Sequence, residues 1–552
     1  MYPVSKEWEQ ECQQKIRQKQ MLVRLEMGVF HEQAPQQCGV TFPQNMWQHT
    51  DGSNVVVQGA QFKPVVSRAV SGDGGNFQQF PYVKIVFSQP ISLAGVTLTF
   101  GSTMEQIPQE IGMRVKTTNK EQSWKFQNLS LLYKTELMLE KIVEIEIQFC
   151  KTQQKGQRAR LEKIDFGIWY EYTEKNILQL SQTESISPVS LELPRGELSF
   201  VLDDHTKIFD PDNEENLTRF LRQGQKMKLW YGMESNSSKK EWIPAGEWFL
   251  QSWTSQQYKA QFAAVSKVNL LTKSNYEKSV YTWDWKNIYN LIEDVFQDGG
   301  VAVEKYKVDQ QAKGFFTMSP LPIISHSAAL QLLANRCKCT IKMDRDGNIC
   351  VVCLKEQPVW RIGKDTVFDP ITVKKNSGLK EINGNWVWRS KFGNEMETIA
   401  QLRVKGDGNW VRLEHGICMN PQLICEPSVD IEAVHYARVS YLKINSADSE
   451  VTVQLLGNRL VEVNYPFVVE NKQEGEILQV QNPLFDGENS IEVGKWMKDF
   501  CAKEFCYEVQ VQGMPHLDVG DCVELWNQKQ GRIVEIKTDY GGSMRQKLKI
   551  MA

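Results

Sequence analysis

The chain has 552 residues, 41 % apolar and 24 % charged, so it holds enough apolar material for several cores and lacks the composition of a disordered chain. Lys and Arg number 64 against 67 Asp and Glu, a net charge of −3 that excludes a broadly basic surface for nucleic acid. At roughly 150 residues per domain, this length predicts about three to five domains.

The opening residues, Met1-Tyr2-Pro3-Val4-Ser5-Lys6-Glu7-Trp8, hold no apolar signal-peptide core. No window reaches the roughly 18 to 20 apolar residues of a membrane span. Synthesis in a cytoplasm, without export or a membrane anchor, is the expectation. Twelve cysteines are too dilute for a disulfide scaffold, and those in alternating apolar runs, such as Cys150, read as reduced core thiols.

In chain order, residues 1–26 are polar, with Gln13, Gln14, Gln18 and Gln20 among charged residues, and predict an N-terminal arm whose one helix docks only on a partner. Over 27–173 the apolar pattern has period two, as in Tyr82-Val83-Lys84-Ile85-Val86-Phe87, and predicts a β-sandwich. A polar linker over 174–188 opens a strand-rich stretch, 174–280, that fits a small β-barrel or second sandwich. Within 281–371 an α+β unit is expected. Ile288, Leu291, Ile292, Val295 and Phe296 form one helical face, Leu330, Leu333, Ala334 and Cys337 another, and Asp344-Arg345-Asp346-Gly347 marks a hairpin turn. Residues 372–480 read as β-rich, and 481–552 as a helix with Val493, Trp496, Met497, Phe500 and Cys501 on one face, followed by a C-terminal β-barrel. No fixed-period repeat is visible. The fold class is mainly β and multi-domain, α+β overall.

Cys337, Cys339, Cys350 and Cys353 are the metal candidates, because thiolates are the usual structural zinc ligands. On paired strands Cys337 and Cys339 share a face whereas Cys350 and Cys353, three apart, do not, so core thiols are expected instead. Seven scattered histidines, at 31, 49, 205, 326, 415, 435 and 516, form no metalloprotease spacing, and neither a P-loop nor a nucleophile elbow occurs. The acidic run Asp210-Pro211-Asp212-Asn213-Glu214-Glu215 reads as a solvated turn ahead of a calcium loop. No catalytic residue, cofactor or metal is therefore expected, and no enzyme. Trp47, Tyr82 and Trp124, with Phe77 and Phe80, fall in or beside turns where sugar-stacking side chains lie, and are the candidate ligand-binding residues against the alternative of aromatic packing.

Several ordered motifs carry a resemblance. Phe209-Asp210-Pro211-Asp212-Asn213, Leu221-Arg222-Gln223-Gly224-Gln225-Lys226-Met227, Tyr231-Gly232 and Gly246-Glu247-Trp248-Phe249-Leu250 come first. They continue in Ser327-Ala328-Ala329-Leu330-Gln331-Leu332-Leu333-Ala334, Asp344-Arg345-Asp346-Gly347-Asn348-Ile349, Gln481-Asn482-Pro483-Leu484 and Gly513-Met514-Pro515-His516-Leu517-Asp518-Val519-Gly520-Asp521. Together they resemble the baseplate-hub, or tail-tip, proteins of phages and prophages of Firmicutes. The resemblance implies hub-type β-barrels, a discoidin-like jelly roll over 27–173, and a homotrimeric ring. That ring would be assembled in the host bacterial cytoplasm and sit in the virion between the tail tube and distal tail proteins on one side and tip or fibre proteins on the other. Some relatives carry an appended peptidase or lysozyme domain; with Ala552 just after the final barrel, none is expected here. Two rival readings are a host cell-wall glycan or receptor binder acting through 27–173, and a cell-wall hydrolase.

Overall fold

The computed structural model describes residues 1–13, 21–30, 38–49, 55–57, 60–62, 64–101, 103–190, 193, 196–213, 216–234, 240–391, 395–444, 450–471 and 474–552. Among them are forty strands and five α-helices, a mainly β, multi-sheet architecture.

The period-two region packs strands of three sheets around one core. Strands Glu121–Gln127, Glu110–Thr117, Leu139–Lys151, Tyr82–Leu93 and Cys38–Thr41 lie side by side in that order. Their inward residues, Val83, Ile85, Ile111, Val115, Ile145 and Ile147, are buried against Leu98, Ile164 and Phe166 from strands Val96–Thr99 and Lys163–Thr173. Each such side chain contributes about 1.5–3 kcal/mol of burial.

The N-terminal arm is not free. Strand Met21–Phe30 pairs with Lys163–Thr173 on one side and with Lys226–Glu234 on the other, so the expected boundary at 26/27 falls inside a doubly paired strand. Met21, Val23, Leu25, Met27 and Val29 are all buried, a period-two signal masked in the sequence by the glutamine-rich residues before it. Helix Lys6–Gln13 docks on its own chain: Trp8 is buried in the core that this strand shares, and Ser5 Oγ donates to Glu241. Gln14, Gln18 and Gln20 lie outside the described residues.

The expected linker is also a strand. Ile177–Ser185 pairs with Glu197–Asp203 and, along its other edge, with Gln530–Tyr540. Gln182 within it is placed rather than solvated: it is buried and accepts the Tyr231 hydroxyl.

Two five-strand antiparallel units follow one plan. In space the first runs Ile177–Ser185, Glu197–Asp203, Lys259–Ser266, Lys240–Gln256, Lys226–Glu234. The second runs Val367–Lys375, Phe505–Gln512, Met544–Met551, Gln530–Tyr540, Cys522–Leu525. In chain order both are 1-2-5-4-3. A sixth strand flanks each, antiparallel Met21–Phe30 in the first and parallel Trp360–Ile362 in the second. The expected boundary at 371/372 therefore cuts the opening strand of the second unit, and the long strands Leu379–Lys391 and Glu450–Glu470 are inserted between its first and second strands.

Helices Ile288–Asp298 and His326–Arg336 cover a small sheet in which Thr340–Met343 and Ile349–Val352 form the expected hairpin. Ile288, Ile292, Val295 and Phe296 are buried, as the periodicity predicts.

Candidate functional site at the junction of three units

The hairpin turn, the second unit's G-x-P-x-L-x-x-G-D turn and the first unit's opening strand meet in one charged cluster. Lys342 Nζ donates to Asp518 Oδ2 at 2.9 Å and to the Val519 carbonyl at 3.0 Å. Arg345 Nη2 donates to the Leu517 carbonyl at 2.6 Å and lies 3.8 Å from Asp518 Oδ1, while its Nη1 lies 3.8 Å from Glu184 Oε2. Gly347, at φ +78°, lets the hairpin turn tightly enough to bring both cations to one side; a Cβ there would meet Glu247 Cγ at 2.4 Å.

The two carboxylates differ in state. Burial raises the Asp518 pKa, but Lys342 and Arg345 outweigh it and the net shift is downward, so Asp518 is the anion of the cluster. Burial dominates at Glu184, which Arg345 offsets only in part, and its pKa is raised. Removing one partner of a fully buried pair costs about 3–5 kcal/mol, because the other charge is stranded.

A second latch joins helix His326–Arg336 to the Gln481-to-Leu484 motif. Asn482 Nδ2 donates to the Leu332 carbonyl at 3.0 Å, and Arg336 Nε donates to the Leu484 carbonyl at 3.1 Å. Arg336 Nη2 lies 3.6 Å from Asp486 Oδ1, close enough for an ion pair, while Asp486 Oδ2 accepts Thr317 Oγ1 at 2.6 Å and the Ser319 amide at 3.1 Å. Both ionic side chains are almost fully buried.

The turn that carries Asp518 occurs twice. Gly520 (φ +88°) donates its amide to the Ile533 carbonyl at 2.8 Å, and Ile533 returns its amide to Asp521 at 3.0 Å. Gly224 (φ +87°) donates to Leu250 at 2.8 Å, and Leu250 returns its amide to Gln225 at 2.8 Å. Ladder irregularities follow at once in both, between Leu250 and Ser252 and between Ile533 and Glu535. The sequence reading missed this internal repeat. Its signal is Leu-x-x-Gly-(Gln/Asp)-x-apolar, at Leu221 to Met227 and at Leu517 to Val523, hidden because unequal insertions give it no fixed period. One difference between the copies changes the surroundings: Asp518 is buried under the hairpin, whereas its counterpart Arg222 is exposed.

The aromatic candidates do not converge. Trp47 is 3 % exposed, donates its indole N–H to the Tyr82 carbonyl at 2.8 Å and packs edge-on against Phe149, so it is core. Trp124 lies opposite Met113, then Ile147, then Val83 across the sheet, which puts it on the core face. Tyr82, next to Val83, is on the other face, and one ligand cannot stack on both. Phe77 is buried and Phe80 is exposed.

Of the four cysteines, Cys337 caps helix His326–Arg336 instead of lying on a strand, so it shares no strand face with Cys339. Cys339 and Cys353 approach each other, and Cys350 points to the Asn348 carbonyl. Among the described residues no three His, Cys, Asp or Glu side chains are grouped to hold a metal ion. In the acidic run Asp210 caps the Asp212 amide as in a turn; Glu214 and Glu215 lie outside the described residues, as do His31 and the His49 side chain.

An open cleft of about 660 Å³ separates the α+β unit from strands Trp410–Glu414 and Val439–Ile444, with Trp410, Tyr436 and Tyr441 on its walls. Its carboxylates are engaged: Glu277 accepts Arg412 and Tyr441, and Asp298 accepts Lys278 and His326. Hydrogen bonding from Arg412 lowers the Glu277 pKa; at Asp298 burial raises it, but Lys278 and His326 outweigh that. Neither carboxyl is tuned as a general acid. No described helix is long and apolar enough to cross a membrane.

No family model matches the chain, and no curated protein matches it. Among solved structures it is similar to the 43 kDa tail protein of prophage MuSo2 from Shewanella oneidensis, at 10 % identity over 69 % of this chain and 95 % of that one, with a TM-score of 0.40. It is also similar to a tail protein from Neisseria meningitidis, at 8 % identity over 69 % and 94 % (TM-score 0.41). A third is prophage tail protein gp18 from Listeria monocytogenes, at 8 % over 69 % and 91 % (TM-score 0.38).

Proposed function

We propose that the chain is a structural subunit of a phage-type tail, a baseplate-hub or tail-tip protein that forms a ring joining the tail tube to the tip machinery. The observation that carries this reading is the doubled five-strand unit. Two units of the same strand order, with the same glycine turn, are joined edge to edge through Leu180 to Ser185 against Glu535 to Tyr540. Such a join buries two strand edges that would otherwise recruit other chains.

In this reading the two units are the hub barrels, the 27–173 sandwich is the discoidin-like jelly roll, and three copies close a ring through heterologous contacts. Three chains then place six like barrels around one axis. The sequence motifs of the resemblance become the latches that hold barrels, α+β unit and insertion in one orientation, as a load-transmitting ring requires. The role is assembly rather than catalysis, and the partners are tube, distal-tail and tip proteins. Of the aromatics a glycan-binding role would use, Trp47 is core and Tyr82 and Trp124 face apart, which supports the assembly reading. Co-expression with the neighbouring tail genes and affinity purification of the full chain tests the reading: co-purification of tube or tip proteins supports it, and recovery of the folded chain alone overturns it.

A further inference from the structure

We propose that Cys339 and Cys353 are a disulfide-forming pair that staples the root of the hairpin carrying Lys342 and Arg345. Strand Thr340–Met343 pairs with Ile349–Val352 in the register Thr340 opposite Val352, so the next pair outward is Cys339 opposite Cys353. Neither backbone amide bonds across that pair: Cys339 donates to the Ala334 carbonyl at 2.9 Å and Cys353 to Asp309 Oδ2 at 3.3 Å. Opposed residues of this kind are the ones whose side chains come closest. The two sulfurs stand 3.0 Å apart.

The pair also has an order of reaction. Cys339 is fully buried and Cys353 is half-buried, so an external disulfide reaches Cys353 first. The Cys353 thiolate attacks one sulfur of oxidised glutathione, forming a mixed disulfide and releasing one glutathione thiolate. Cys339 then attacks the Cys353 sulfur and expels the second glutathione, to whose departing thiolate its proton passes. Two protein thiols are oxidised by two electrons and one glutathione disulfide becomes two thiols. The hydrogen bond to Cys339 and burial both push the Cys353 thiol up, so the first step is slow at neutral pH and accelerates with alkali. A reducing cytoplasm leaves the pair open. Closing it ties together the two ends of the hairpin whose tip holds Asp518, and so removes unfolded-state freedom from that latch.

The experiment exposes the folded full chain to oxidised glutathione at about pH 8.5, blocks free thiols, digests with trypsin and maps the peptides by tandem mass spectrometry. The expected product joins peptide 339–342 to peptide 346–355 through Cys353. Cys353→Ser reduces that link to background and Cys350→Ser leaves it intact. The oxidised chain unfolds at a higher temperature than the same sample treated with dithiothreitol. A link through Cys350, a glutathione adduct that stays on Cys353, or free thiols at both positions once the half-buried Cys425 has been modified overturns the proposal; an unchanged melting temperature overturns the staple.

Discussion

Lys342 Nζ donates to Asp518 Oδ2 at 2.9 Å across 176 residues of chain, tying the hairpin of the α+β unit to the turn of the second five-strand unit. The same turn in the first unit carries exposed Arg222 at the matching position. One turn geometry therefore presents a buried, paired carboxylate in one copy and an exposed cation in the other.

Asp518→Asn should destabilise the chain by about 2–4 kcal/mol, somewhat below the fully buried case because both side chains keep slight exposure. Arg222→Ala should stay within about 0.5 kcal/mol. Denaturant titration of both variants checks the contrast, and equal losses would remove the asymmetry between the turns.

The paired glycines separate strain from space. Ala at Gly224 meets nothing within 4 Å, so Gly224→Ala should cost only the left-handed backbone term, about 1–2 kcal/mol. Ala at Gly520 also meets Leu354 Cδ2 at 3.1 Å, and Gly520→Ala should cost more. Thermal unfolding of the two variants ranks them.

His516 predicts an acid-sensitive step. It is fully buried against Trp360, and burial, with repulsion from Arg345 behind it, lowers its pKa from 6.5 to about 3. The unfolded chain takes up this proton first. The contribution of His516 is therefore complete above about pH 6.5 and is lost toward pH 3 at about 1.4 kcal/mol per unit. Denaturant midpoints measured from pH 7 to 4 should fall in the native chain and less steeply in His516→Gln.

Regions buried on one face were legible. Val83, Ile85 and Phe87 alternate with outward residues, and the Ile288-to-Phe296 helix shows its spacing, because one partner layer imposes one period. Ile177–Ser185 was not legible, since both its edges are paired and Gln182 is buried through a hydrogen bond rather than through apolarity. Trp47 looked like a turn aromatic because burial beside a turn depends on the facing sheet. The latches were legible only as motifs: Arg345 lay in a run read as a hairpin turn and Asp518 in a glycine-bounded turn, and that they meet is a property of the assembled chain.

The most direct test of the ring is electron-microscopic class averaging of the purified full chain over a range of concentrations. Closed three-copy rings of three times 63.6 kDa, with six similar lobes at the barrel level, are the result this account predicts. Two-fold dimers, or single copies at every concentration, would contradict it.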